Sequence, residues 1–517
     1  MRRSQLWINV CLCLACLVRV WGIDFGLPYK FHPDEDKYID PVLAWHTSGE
    51  MNLELINPPL FNYVLWAGYW LWFAVSPYNQ TANWLTQSYV FARLWSFAFS
   101  MLTVALAYAL GKRIYNRPAG LVAMILLAGL FLPAREAHFA VNDSAVTFFV
   151  LLGIYFSVRL LQKPSHLNYI MAGFIAGCAA AAKLTGGLVL AALLLAHFMQ
   201  PKRNDRHLAL SIGLMTLTFA LISAHIFWRL PEYVEVINQH LLYGTSGYKG
   251  LQMAQSSGWL FYGEVLSWGI GWILVVLICL SLPQLFFYPH QLILVIFSIL
   301  LFGFIGSQKI VFARFILPAV PPLIIFVAGQ LVGLAQQWST WQRHPRLIWG
   351  LTLVVLLAQP LASLLWFDHL LTLPDTREIA TQWFTENVPA GTRVARESYS
   401  ILPNTVFQDK EWPYDADNLS GSRQFKDGLE HYLNTGADIL VVSNFTSGRH
   451  WENPAEDTMR SAQLARLEAE ATLLKTFNPY RTNTANWFYL DELYGPAGET
   501  FWRTRPGPLL KVYKLPR

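Results

Sequence analysis

Apolar residues run in long blocks through the first 367 positions, near 5–22, 60–76, 88–110, 118–133, 143–161, 168–182, 185–199, 208–228, 259–282, 291–306, 314–334 and 347–367. Each block is long enough, or nearly so, to cross about 30 Å of hydrocarbon as a helix. Beyond 367 the pattern changes. Helix-period stretches at 376–387, 424–434 and 462–476 alternate with short extended runs at 393–397, 438–443 and 509–513, which predicts a small α/β domain. The expected architecture is a polytopic α-helical membrane domain over 1–367, followed by a C-terminal α/β domain over 368–517.

Charge placement orients the spans. The first block follows Met-Arg-Arg, and no small-x-small cleavage site comes after it, so it reads as a retained span rather than a signal peptide. Lys and Arg cluster at 112–117, 163–166, 202–207 and 343–346, and such clusters mark cytoplasmic loops. If 60–76 spanned, the N-terminus and 112–117 would fall on opposite sides. Read as an interfacial helix, which Asn62, Tyr63, Trp66, Tyr69, Trp70 and Trp72 suit, it leaves eleven spans and puts all four basic loops on one side. The loops 24–86, 134–142, 229–258 and 307–313 then share the outer face with the tail. Asp24, Asp34, Glu35, Asp36, Asp40, Glu50 and Glu54 all fall in the first of these loops.

Composition agrees: 54% hydrophobic and 14% charged residues describe no ordinary soluble protein. Residues 368–517 hold 20 of the 33 acidic and 16 of the 38 basic residues, so the tail has soluble character. A net charge of +5 gives no footprint for nucleic acid; the partner that composition implies is a lipid bilayer. Cys11, Cys13, Cys16, Cys178 and Cys279 lie in apolar stretches, so no disulfide framework holds the tail.

Chemistry concentrates on the outer face. The first loop reads Tyr29-Lys-Phe-His-Pro-Asp-Glu-Asp-Lys-Tyr38. Three consecutive carboxylates, Asp34, Glu35 and Asp36, repel one another, which is expected to raise at least one pKa toward neutrality and supply a general base. The alternative is a solvated turn opening a helix, with Asp34 as its cap. Arg135, Glu136, His138 and Asp143 follow the third span, Lys183 lies between the fifth and sixth, and Lys309 and Arg314 precede the tenth. Taken singly, each also reads as a snorkelling side chain or an internal pair such as Arg135 with Asp143. Taken together, anion binders facing a base suit transfer from a phosphate leaving group. His32, Asp34, Glu35 and Asp36 could also ligate a divalent ion, although adjacent residues seldom aim at one centre.

The motif Phe31-His-Pro-Asp-Glu35, followed by Asn57-Pro-Pro-Leu60, resembles the polyprenyl-phosphate-dependent C-type glycosyltransferases (GT-C), the group of protein O-mannosyltransferases and the lipid A aminoarabinose transferase. Arg93, Arg135-Glu-Ala-His138, Asp143, Phe148-Phe149, Ala182-Lys-Leu-Thr185 and Arg314-Phe-Ile-Leu-Pro318 extend the resemblance in order along the chain. Asp375-Thr-Arg377 with Trp383, and Gly507-Pro-Leu-Leu-Lys-Val-Tyr513, are similar to bacterial members. The resemblance implies a GT-C fold and sugar transfer from a polyprenyl-phosphate donor to a hydroxyl acceptor, with inversion. Asp34 or Glu35 would be the base, and Arg135, Lys183 and Arg314 would hold the lipid phosphate, with His32, Asp36, Lys37, Glu136, His138 and Asp143 around them. The oligosaccharyltransferase motif Trp-Trp-Asp-Tyr-Gly is absent, Trp412-Pro-Tyr-Asp415 being only an echo. It further implies a multi-pass protein of a bacterial plasma membrane with its tail outside the cytoplasm.

Neither a Walker sequence nor a strand-linked G-x-G-x-x-G is visible, which favours a lipid donor over a nucleotide sugar. The main rival is a multispan lipid or sugar transporter, but no internal repeat accompanies the spans. The outer loop at 229–258, with Tyr243-Gly-Thr-Ser-Gly-Tyr248-Lys249, is expected to form a mobile lid, and the tail either contacts the acceptor or serves as a cap.

Overall fold

The computed structural model describes residues 2–50, 52–75, 83–246, 257–338, 345–389, 392–397, 399–400, 428–434, 436–446, 458–482, 490–498 and 500–516. Among them are 7 helices long and apolar enough to cross a membrane, and the pair Arg117–Gly129 and Phe131–His138, bent by 63°, passes the same test together. Shorter apolar helices, Gln5–Val20, His166–Ala182 and Leu184–Phe198, occupy other predicted runs. The outside of this bundle is apolar: Leu14, Leu221, Leu280 and Val354 are each more than half exposed. Such a surface is stable against lipid rather than water.

Breaks in the apolar helices position the polar groups. Lys183 is extended (φ −160°, ψ 135°) between His166–Ala182 and a 3₁₀ turn, Leu184–Val189. Gly186 permits this, because a Cβ there would meet the Ala179 carbonyl at 2.2 Å. Asn142 donates its side-chain amide to the Ala182 carbonyl at 2.7 Å, satisfying a helix end that would otherwise be bare. Arg314 sits in a second 3₁₀ segment, Ala313–Ala319, where Pro318 removes a backbone donor before the next long helix.

The first loop turns into the helix Asp36–Ser48, whose N-cap is Glu35 without a side-chain capping bond, so Asp34 does not serve as the cap. The helix Leu60–Val75 lies against it, with the Asn62 amide donating to the Tyr38 carbonyl at 3.1 Å. The loop expected at 229–258 is largely a helix, Leu230–Ser246. The remainder of that lid, 247–256, and the echo at 412–415 lie outside the described residues.

The tail holds a 4-stranded sheet in the order β1-β2-β4-β3, with β1 Val394–Arg396, β2 Ile439–Ser443, β3 Thr472–Phe477 and β4 Leu510–Lys514. β1 and β2 are parallel and the other pairs antiparallel. The helix expected over 462–476 is shorter, Thr458–Glu470, and its last residues form β3 instead. Pairing with β4 overrides the local helical period there. One sheet face packs Leu440, Val442 and Tyr513 on Tyr432 and Leu467. The other packs Ile439, Val441 and Val512 on Ala380 and Phe384 of the helix Thr376–Asn387. Phe445, Leu493 and Tyr494 gather with Phe312 and tie the tail to the bundle.

Candidate active site

Five of the residues expected to carry chemistry form one chain of alternating charge. Lys37 Nζ lies 2.7 Å from Asp34 Oδ1, and Arg314 Nη2 lies 2.8 Å from Asp34 Oδ2. Arg314 Nε is 3.8 Å from Asp143 Oδ2, and Lys183 Nζ is 2.7 Å from Asp143 Oδ1. Asp143 opens the helix Asp143–Gln162, where the positive end of the helix dipole favours a carboxylate. Three cations for two carboxylates leave an excess of one positive charge. Arg314 Nη1 is buried and has no acceptor among the described residues. An anion is the partner such a nitrogen lacks.

Of the three adjacent carboxylates one, Asp36, is raised, as the sequence led us to expect of at least one, while the fold sends Asp34 and Glu35 to cations that lower them. Burial would raise Asp34, but Arg314 and Lys37 outweigh it and hold the carboxyl at about 2. Glu35 is wholly buried in a bidentate pair with Arg93, both contacts at 2.7 Å, and its Oε1 also accepts the Ala140 N–H at 2.8 Å. Burial opposes its ionisation, yet Arg93 lowers its pKa. Arg93 further donates to the carbonyls of Ile23 and Phe25, so this pair fastens the first loop to the helix Trp84–Ile114. Only Asp36 is raised, by partial burial first and then by Asp40 and Asp34. His32 stacks on Phe139 at 4.6 Å; burial pushes its imidazole down to about 4, and its Nδ1 accepts the Asp34 N–H at 3.3 Å.

Other expected site residues take a different part. Arg135 is buried, paired with Glu136, and donates to the carbonyls of Asp491, Tyr494, Gly495 and Pro496. It therefore anchors the tail, leaves no donor aimed at the charge chain, and does not pair with Asp143. His138 bridges the carbonyls of Ala134 and Trp21 and sits 3.6 Å from Asp368, inside the bundle.

The anchored turn brings in a residue the sequence did not mark. The Tyr494 ring lies over the Arg314 guanidinium at 4.1 Å and meets His32 edge-on at 5.3 Å. No local signal distinguishes Tyr494 from any tail tyrosine. Arg93, a lone cation in an apolar run, could have been matched with a buried acid from its cost alone. Among the described residues no three His, Cys, Asp or Glu side chains gather to hold a metal ion. Within the first loop Asp34 is held by Arg314 and Lys37, and Glu35 by Arg93.

Residues 57–228 match the family model described as dolichyl-phosphate-mannose-protein mannosyltransferase. No curated protein sequence matches the chain significantly. Among solved structures, the oligosaccharyltransferase of Archaeoglobus fulgidus in its apo form is 10% identical, over 98% of this chain and 88% of that one, with a TM-score of 0.57. ArnT of Cupriavidus metallidurans in the apo state is 15% identical, over 99% and 98%, with a TM-score of 0.48. The same ArnT bound to undecaprenyl phosphate is 15% identical, over 98% of each chain, with a TM-score of 0.49. Residues 57–228 thus resemble that mannosyltransferase family, and the chain shares the fold of the Archaeoglobus enzyme.

Proposed function

We propose that this membrane protein transfers a hexose or pentose from a polyprenyl-phosphate donor to a hydroxyl acceptor, with inversion, on the extracytoplasmic side of a bacterial plasma membrane. The observation that carries the reading is the buried Arg314 Nη1 without an acceptor, set in a charge chain with one cation in excess. A phosphodiester monoanion balances that excess. Arg314 and Lys183 hold the phosphate and stabilise the charge that grows on it as the sugar departs. Glu136 lies behind the site, and Lys37 and Asp36 flank it.

Asp34 is the base, since Glu35 is committed to Arg93. A carboxyl held at about 2 is a weak base, and two effects compensate. Donor phosphate shares the guanidinium that holds Asp34 and so loosens that hold. The acceptor hydroxyl also becomes strongly acidic as its oxygen bonds the anomeric carbon, so the proton leaves late. The acceptor oxygen gains the glycosidic bond, the phosphate leaves with the pair of the broken C–O bond, and Asp34 takes the proton.

Asp34→Asn in membranes with a labelled polyprenyl-phosphate sugar is expected to lower turnover by ~10²-fold or more at normal expression. Transfer near the wild-type rate would overturn the assignment.

A further inference from the structure

We propose that Tyr494 of the tail domain is a positioning residue for the donor: it fixes the Arg314 guanidinium in the pose that meets the lipid phosphate. This rests on the phosphate-clamp reading above. The Arg314 guanidinium sits among three rings, Phe312 at 4.5 Å, Phe315 at 5.6 Å and Tyr494 at 4.1 Å. Phe312 and Phe315 belong to its own segment and move with it. Tyr494 comes from the far end of the chain and is held independently. Arg135 grips four carbonyls of its turn, and Asp491 Oδ1 accepts the Ala313 N–H at 2.8 Å, beside Arg314 itself. Gly495 (φ +100°) lets the turn close against Phe139, since a Cβ would meet that ring at 2.9 Å.

The same ring touches His32 at 5.3 Å, two residues from Asp34. Tyr494 thus sets the base loop and the clamp against one surface. An arginine with a nitrogen left open would otherwise lose rotamer freedom when donor binds; a ring already on its face removes much of that cost. The tail is then part of the donor site.

The test uses the full-length protein in lipid nanodiscs and undecaprenyl phosphate as the titrated ligand. Tyr494→Leu, which fills the space without an aromatic face, is expected to weaken binding by ~10-fold or more. Tyr494→Phe and Tyr494→Trp, which keep the face, are expected to stay within about 3-fold of wild type. Wild-type affinity in the Leu variant overturns the proposal. A Phe or Trp variant as weak as the Leu variant also overturns it, because the ring face would not be what matters. Arg314→Ala separates the two levels of the argument. If it binds normally, the phosphate-clamp reading fails; if it loses binding while Tyr494→Leu does not, only the role of Tyr494 fails.

Discussion

Glu35→Gln tests the division of labour between two neighbouring acids. In the folded chain Glu35 and Arg93 are both fully buried, joined by two contacts of 2.7 Å, with the Ala140 N–H on the same Oε1. A glutamine can keep its oxygen toward Arg93 Nε and Ala140, but its amide nitrogen then faces Arg93 Nη2, donor against donor. The guanidinium is left charged and buried with neutral acceptors only, the glutamine oxygen and the Ile23 and Phe25 carbonyls. Breaking one side of a buried pair costs about 3–5 kcal/mol. Against a typical total stability of about 5–15 kcal/mol, that is a large fraction. Glu35→Gln is therefore expected to reduce folded yield and lower the melting temperature in nanodiscs, and to lose activity as a consequence. Asp34→Asn is expected to melt within a few degrees of wild type while losing turnover. Replacing both partners, Glu35→Met with Arg93→Met, is expected to recover much of the melting temperature, because no lone charge remains. A Glu35→Gln protein that melts like wild type yet transfers no sugar would refute this reasoning and move Glu35 into the chemistry.

Lys183→Ala and Arg314→Ala are expected to raise KM for the donor more than KM for the acceptor; equal effects on both substrates would place the phosphate elsewhere. His32 adds a pH signature. Its imidazole is held at about 4 by burial, below the usual 6.5, so the folded state binds fewer protons than the unfolded state between those values. Stability then falls as pH drops, by about 2 kcal/mol between pH 7 and 5. His32→Gln is expected to flatten that slope, and parallel unfolding curves for both proteins would contradict it. Arg135→Ala is expected to loosen the tail, read as faster proteolysis around 490–496 in intact protein, with the bundle still folded. Unchanged cleavage would remove its anchoring role.

The membrane bundle was readable because burial against lipid demands long apolar runs, and those runs are visible one residue at a time. Lys37, Asp34, Asp143, Lys183 and Arg314 were legible for the same reason: ionisable groups at helix breaks are costly unless they have work to do. What could not be read was pairing. Glu35 and Arg93 are 58 positions apart, and only the fold shows that this acid is already taken. The strand over Thr472–Phe477 was missed because its apolar spacing also fits a helix, and the partner strand lies beyond the next loop. Arg135 misled for a simpler cause: a cation at a span end looks identical whether its acceptors are a ligand's oxygens or the protein's own carbonyls.

Arg135 finds those carbonyls 356 to 361 residues further along. During synthesis the bundle therefore leaves the ribosome with this guanidinium paired only to Glu136, and the turn that covers it is among the last segments to emerge. A contact of such long range closes late and slowly. The surroundings of Arg314 are consequently completed only after nearly the whole polypeptide has been made. On the function proposed above, a partly made chain, however well its helices have packed, cannot yet draw on lipid-linked sugar.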